Sequence, residues 1–555
     1  MDVEVINPGP ARLIRAIIDE LRIIETINGM VRWDQKQWKL SPGELIASLI
    51  IAFFAQRRPL YQVWDFYTEQ DIELLFGRPD LTPEDFTDDS LGRALDRLQE
   101  ADFTKIYGNI IVFAKQVYAL QTRCCHADTT SLVVYGAYDN PDQELVDYGF
   151  SKDKRFDLKQ IKSGICANSD GIPIYGEPIN GNKDDKTWNK ELLQKFSTAI
   201  LAEFQSLLVC DSQLVTGENL ELIHQNGIRF ISRLPDTFKV GEVLKQKAWL
   251  QNVWVDVGPL STSKNAASYR IQEFQDDIDD RIYRFIVVRS SSLDRRKEKS
   301  LKNRIEKEKI ALTKSINELN KLDFVCEPDA QRAWDAWLKK NPAKYHLVSN
   351  SLVQESVQER RAQRGRPKAN ADKPPSKTVY RIQACLVGEN NEAIQKAYEL
   401  ERTFILISND FDISAEEVLR NYKDQYKVEQ KFGFLKDPQY VGPLFMKKEE
   451  RLIALHHVLL MTLLVYSLFQ LRVRRTLKTE GHPFVIAGTY KTFTPKAKSI
   501  LEYVKKLCIL RIKTPTGTIR QLPANVTSNA KKVIALAGFD VSIYITPPMP
   551  PPFYD

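Results

Sequence analysis

"CCHADTTSLVVYG", residues Cys124–Gly136, decides the fold. It is a run of small and β-branched residues with a carboxylate, Asp128, inside it, where a strand disfavours charge unless the charge is paired or bound to a cation. Before Arg123 the apolar residues recur with a helical period; after it they come in short runs closed by turn residues. "QIKSGICAN", "GIPIYGEPI", "SLLVCDS" and "GIRFISRL" continue the strand-like series, and the helical pattern "KTWNKELLQKFSTAILAEF" falls between the second and third of these runs. Three strands, a helix, a fourth strand, a further helical stretch and a fifth strand predict an α/β domain with a mixed five-stranded sheet.

Working outward, residues 1–120 read as an all-α N-terminal domain. "LSPGELIASLIIAFFAQ" opens with Ser41 as N-cap, Pro42 in the first turn and Glu44 three residues after the cap, a capping box. "DDSLGRALDRLQEADF" places Leu91, Leu95 and Leu98 at helical spacing. The first part of the α/β core is expected over 121–234 and an insertion domain over 235–400. That insertion holds strand-like "RIYRFIVVRS" and a highly charged helix with a stripe at Ile305, Leu312 and Leu319, either a coiled-coil arm or a long surface helix. Strand-like "YRIQACLVG" and "RTFILIS" follow. The second part of the core is expected over 401–478, and a C-terminal region with a proline-rich tail, "PPMPPPFYD", over 479–555.

At 555 residues the chain exceeds what one hydrophobic core organises, and 43% hydrophobic with 27% charged residues is an ordinary globular composition. The net charge of +7, from 79 basic and 72 acidic residues, is too mild to name a partner by itself. Seven cysteines without a CxxC pair or zinc spacing read as reduced, mostly buried thiols, which fits a cytoplasmic protein. "MDVEVINPGP" lacks the marks of a secretory signal. "LIALHHVLLMTLLVYSLFQL", Leu452–Leu471, is close to membrane-spanning length, but with His456 and His457 inside it and no second such segment it is read as a buried core helix.

Two further carboxylates join Asp128. Asp211 ends "LLVC", where strands of an α/β sheet deliver functional side chains, although a strand-end Asp also serves to cap the following turn. Glu429 lies in "NYKDQYKVEQKFGFLKD", Asn421–Asp437, where Tyr422, Gln425, Glu429 and Lys436 fall on one stripe of a continuous helix. Three converging carboxylates need counter-ions, and two Mg²⁺ or Mn²⁺ ions suit hard oxygen ligands. Lys436 and Tyr422 would reach phosphate oxygens beside the reactive bond. His126, two residues from Asp128 on the same strand face, is either an outer-sphere helper of the metals or a buried, hydrogen-bonded histidine. "RGRPK", with Arg364, Arg366 and Lys368, resembles an arginine-flanked minor-groove hook. "GEPINGNK" has Asn182 where a P-loop needs lysine, so nucleotide binding is not expected.

"HADTTS", "VCDSQLVTGEN" and "YKDQYKVEQKFGFLKD" together resemble the three acidic motifs of the ribonuclease H-like DDE transposases of bacterial insertion sequences. The last is similar to the group marked by Tyr-x2-Arg-x3-Glu-x6-Lys, with Gln425 at the arginine position. "RRPLYQVWDFY" and "TDDSLGRALDRL" resemble the helical N-terminal domain of one branch. The resemblance implies a ribonuclease H-like core split by an insertion, with Asp128, Asp211 and Glu429 as catalytic metal ligands. It also implies cleavage at terminal inverted repeats and attack of a 3′-hydroxyl on target DNA. Double-stranded DNA as partner, a homodimer on that DNA, a bacterial, nucleoid-associated location and no membrane follow from it. Relatives stack a flipped base on an aromatic of the insertion, for which Trp249, Trp254, Trp334 and Trp337 are open alternatives. Glutamine lacks the guanidinium charge and fork, which weakens the expected phosphate contact at that position. Two other readings stay open: a metal-dependent nuclease of the same fold that does not join strands, and a non-catalytic DNA-binding relic.

Overall fold

The computed structural model describes residues 2–55, 59–136, 138–139, 144–150, 155–196, 207–261, 266–292, 295–358, 376–437, 444, 446–486, 488–515, 517–524 and 526–550. Strand β1 (Asp2–Ile6) leads into helices α1 (Ala11–Glu20), α2 (Ile23–Met30), α3 (Pro42–Ala55), α4 (Val63–Thr68), α5 (Ile72–Phe76), α6 (Asp88–Glu100) and α7 (Phe103–Tyr118). The capping box at α3 forms as read: the Ser41 N–H donates to Glu44 Oε2 at 2.8 Å, and Ser41 Oγ accepts the Glu44 N–H at 3.2 Å. At α6 the cap is Thr87, whose hydroxyl accepts the Ser90 N–H.

Next come β2 (Cys124–Val133), β3 (Gln160–Asn168), β4 (Pro173–Asn180), α8 (Asp185–Phe196), β5 (Leu207–Cys210), α9 (Gly217–Gln225) and β6 (Phe230–Arg233). They are followed by α10 (Lys239–Gln251), β7 (Val255–Pro259), β8 (Ser268–Ile278), β9 (Arg281–Ser290), α11 (Arg295–Leu319), β10 (Asp323–Phe324), α12 (Glu327–Lys340), β11 (His346–Gln358), β12 (Ser376–Glu389), α13 (Asn391–Glu401) and β13 (Thr403–Ser408). A mixed sheet runs in the order β4-β3-β2-β5-β6-β13-β9-β8-β7. β3 is antiparallel to both β2 and β4, while β2, β5 and β6 are parallel neighbours. The sheet therefore has nine strands where five were expected. The backbone beyond β6 is not left open: Asn409 Oδ1 accepts the Phe230 N–H at 2.9 Å and Ser408 Oγ donates to the Phe230 carbonyl at 2.7 Å.

The chain divides into two compact units. The first comprises Met1–Pro235, Asp277–Arg284 and Ile407–Asp555; the second comprises Asp236–Asp276 and Phe285–Leu406. In the second, Trp334 and Trp337 stack at 5.1 Å in a core with Leu312, Ile316, Leu319 and Ile382. Leu312 and Leu319 of the charged α11 are thus committed to this core, whereas Ile305, the third residue of the stripe, is half-buried and is not among its residues.

The first unit is completed by α14 (Ala415–Lys423), α15 (Tyr426–Leu435), α16 (Glu449–Glu480), β14 (Phe484–Ile486), β15 (Tyr490–Thr492), α17 (Ala497–Leu501), β16 (Ile509–Thr514), β17 (Gly517–Gln521) and α18 (Ser528–Leu536). The N-terminal and C-terminal segments, expected as separate domains, share a sheet: β1 pairs antiparallel with β16, which pairs with β17. Arg520 clamps Asp71 at 2.7 Å, and the Tyr544 hydroxyl donates to the Gly9 carbonyl at 2.9 Å.

Helix α16 is the one described helix long and apolar enough to cross a bilayer, and 89% of its apolar window is buried inside the protein. It packs on α3, α6 and β4. It covers one face of the sheet, where Leu460 meets Gly176 and His456 Nε2 lies 2.7 Å from Ser163 Oγ; on the other face Gly164 sits against the Trp188 ring of α8. Burial holds the His456 imidazole down to about 3, below its ordinary ~6.5. A depressed folded value means that its share of stability is complete above pH ~6.5 and is lost as pH falls toward the folded value. His456→Asn, which removes the titration, should lose about 2 kcal/mol less stability than wild type between pH 7 and pH 5 in urea denaturation. Equal losses in both proteins would mean that the imidazole is protonated without penalty in the fold.

Candidate functional site

Asp128 sits half-buried in β2, with Oδ1 accepting the Thr129 N–H at 2.7 Å. In the parallel ladder His126 pairs with Val209. Two residues further along the same register, Asp128 comes level with Asp211, and level residues of parallel neighbours share a face. Asp211 keeps an extended backbone just past β5 and caps the turn Ser212–Leu214, Oδ1 accepting the Gln213 N–H at 3.0 Å. The capping role read for this strand-end Asp is thus present.

The expected continuous helical stripe is broken. Tyr422 belongs to α14, Glu429 to α15, and Gln425 is the N-cap between them. The step tightens into shorter-range bonds, Gln425 N–H to Tyr422 O at 3.2 Å and Val428 N–H to Gln425 O at 3.0 Å, while Gln425 keeps right-handed helical angles. α14 packs on β5 and β6, and α15 packs on β2. Glu429 is exposed, Tyr422 and Lys436 are half-buried, and Gln425 is buried. Lys436 is the C-cap of α15.

Electrostatics locates these groups relative to one another. Burial pushes the Tyr422 phenol up to about 12; Arg233 opposes that rise, and Asp211 and Glu429 add to it. The Cys210 thiol is raised chiefly by burial, with Asp211 and Asp128 contributing. Cys210 thus feels two of the carboxylates and Tyr422 feels two, with Asp211 common to both. Among the described residues no three His, Cys, Asp or Glu side chains already stand at ligand spacing for one ion. The donor set is all carboxylate oxygen, which fits Mg²⁺ or Mn²⁺ and not a thiophilic metal.

His126 is fully buried, with Nε2 3.6 Å from Cys124 Sγ and Nδ1 without a partner. Burial, with Lys427 adding, holds its imidazole down to about 4. His457 is stacked on Phe103 at 3.7 Å. Trp334 and Trp337 are committed to core packing, whereas Trp249 and Trp254 are partly exposed, with Arg289 4.5 Å above the Trp249 ring. Arg364, Arg366 and Lys368 lie outside the described residues.

Sequence reasoning missed Arg233 and Lys423. Both are half-buried, and Arg233 acts on Tyr422 and Lys423 alike. The available signal was that "GIRFISRL" ends its strand on an arginine. The helical region at residues 9–112 matches a family described as a domain of unknown function, DUF4277. No curated protein matches the chain. The matched span ends before Asp128, so it carries none of the candidate site.

Asp211→Asn keeps a capping acceptor, so its unfolding free energy should stay within about 0.5 kcal/mol of wild type, while Asp211→Ala should cost about 1 kcal/mol. Urea denaturation of both variants checks this, and identical stabilities would remove the cap from Asp211.

Proposed function

We propose that this chain is a DNA transposase of the ribonuclease H-like DDE type. It would cut at insertion-sequence ends and transfer the freed 3′-hydroxyl into target DNA. The observation that carries the reading is the parallel pairing of β2 with β5, whose register, extended two residues past the His126–Val209 pair, brings Asp128 level with Asp211, together with the packing on β2 of the helix that bears Glu429. The run β4-β3-β2-β5-β6, three antiparallel strands followed by two parallel ones, supports a ribonuclease H-like core. The rest of the sheet supports an insertion elaborating its edge.

In this mechanism Asp128, Asp211 and Glu429 hold two Mg²⁺ or Mn²⁺ ions. When bound, these ions activate the attacking oxygen and stabilise the leaving one. In cleavage the attacking water forms a new P–O bond while the P–O3′ bond breaks, and the leaving oxygen ends as a 3′-hydroxyl. In transfer that hydroxyl gives up its proton and forms a new P–O bond at a target phosphodiester while the target's own P–O3′ bond breaks, and the displaced 3′-oxygen takes up a proton. Tyr422 and Lys436 orient phosphates beside the reacting one, and the backbone of Gln425, bonded to Tyr422 and Val428, makes the α14–α15 step. The partner is double-stranded DNA, terminal inverted repeats and target, with a homodimer holding two ends in the bacterial nucleoid.

The test uses full-length protein and a labelled duplex carrying the DNA that borders its own gene, with Mg²⁺, Mn²⁺ or EDTA. Metal-dependent cleavage and joining to a plasmid, reduced at least about 10³-fold in Asp211→Asn, is expected. Cutting without joining would favour the nuclease, and tight binding with no cleavage in either metal would leave only a DNA-binding relic.

A further inference from the structure

We infer that Arg233 and Lys423 form a phosphate-binding subsite beside the carboxylates, supplying the cationic contact that glutamine at position 425 cannot. The inference rests on the proposed function and deepens it. β5 and β6 are parallel, with Cys210 paired to Ser232. One residue further, Arg233 comes level with Asp211, as Asp128 does from the other side. The Ser232 hydroxyl holds this end of β6 to β5 by donating to the Asp211 carbonyl at 2.7 Å. Three adjacent parallel strands thus present a row, Asp128, Asp211, Arg233, on one face.

Helix α14 packs on β5 and β6, and Tyr422 and Lys423 near its end both feel the charge of Arg233. The Lys423 ammonium is pushed down first by burial and then by Arg233. Two cations close enough to disfavour each other, next to carboxylates, make a charge pattern suited to a bridging phosphodiester, whose anionic oxygens meet both cations while its phosphorus faces the carboxylates. Arginine provides the planar fork that matches phosphate oxygens. Gln425 is buried and neutral, so the positive charge of this corner comes from β6 and the end of α14.

The experiment measures binding in EDTA, so that chemistry is not the readout. The probe is a fluorescein-labelled duplex taken from the DNA bordering the gene, titrated at several salt concentrations. For R233Q the Kd should rise about tenfold, and the slope of log K against log salt should become shallower by about 1. R233K should keep the slope and lose part of the affinity. K423Q gives the same slope test from α14 if R233Q does not fold, as judged by circular dichroism. Wild-type binding with an unchanged slope in both R233Q and K423Q would overturn the subsite and leave the proposed function standing. Absence of DNA binding by wild type would overturn both.

Discussion

A helix that is apolar on every side has to be covered on every side, and α16 imposes that requirement on the whole first unit. Each fully buried leucine contributes about 2 kcal/mol only if the surrounding elements stay in place. Its rotation is fixed at both ends by polar anchors: Glu449 accepts the Leu145 N–H, Arg451 clamps Asp96 and Arg472 pairs with Glu20. Arg475 also reaches Asp170 at 2.9 Å, in the turn between β3 and β4. The same turn is touched by α15, whose Lys431 Cε would lie 3.0 Å from a Cβ at Gly171. Burial pushes the Lys431 ammonium down to about 7, with Arg474 acting in the same direction. The helix that carries Glu429 is therefore seated on a turn that the core helix itself holds.

From that seating follows the electrostatic character of the candidate site. Asp128, within β2, and Asp211, just past β5, come level on neighbouring parallel strands, where like charges repel one another. Each carboxylate accepts from a backbone N–H close in sequence, Thr129 for Asp128 and Gln213 for Asp211, and Arg233 on β6 acts on Tyr422 beside Asp211.

What the sequence made legible was whatever depends on short range. The Ser41 capping box, the strands around Asp128 and Asp211, and the burial of Leu452–Leu471 all follow from spacing and composition. Long-range pairing was not legible. Nothing local in "MDVEVI" announces β16 as its partner, and nothing in "GIRFISRL" announces that its outer edge will meet Ser408 and Asn409. The break at Asp424 escaped for a different reason. Gln425 keeps φ −55° and ψ −30°, so the helical period passes through the step almost unchanged while the hydrogen bonding shifts. Arg233 was hidden because its significance lies in register with Asp211, which periodicity does not report.

The broken helix also answers a problem of scale. A straight helix from Tyr422 to Lys436 would run about 21 Å, whereas three neighbouring strands span only about 10 Å. One rod laid along the strand ends would carry its last functional side chain well past the row. With the step at Asp424–Gln425, α14 lies over β5 and β6 and α15 over β2, so Tyr422 and Lys423 attend the Arg233 end while Glu429 attends the Asp128 end. Lys436 then lies about 10 Å along α15 from Glu429. On the proposed reading this separates the labour: the Arg233 end grips a phosphate close to the reacting bond, and Lys436 grips the strand farther along. The shorter-range bonds at Gln425 thus divide the segment between β5 and β6 on one side of the step and β2 on the other.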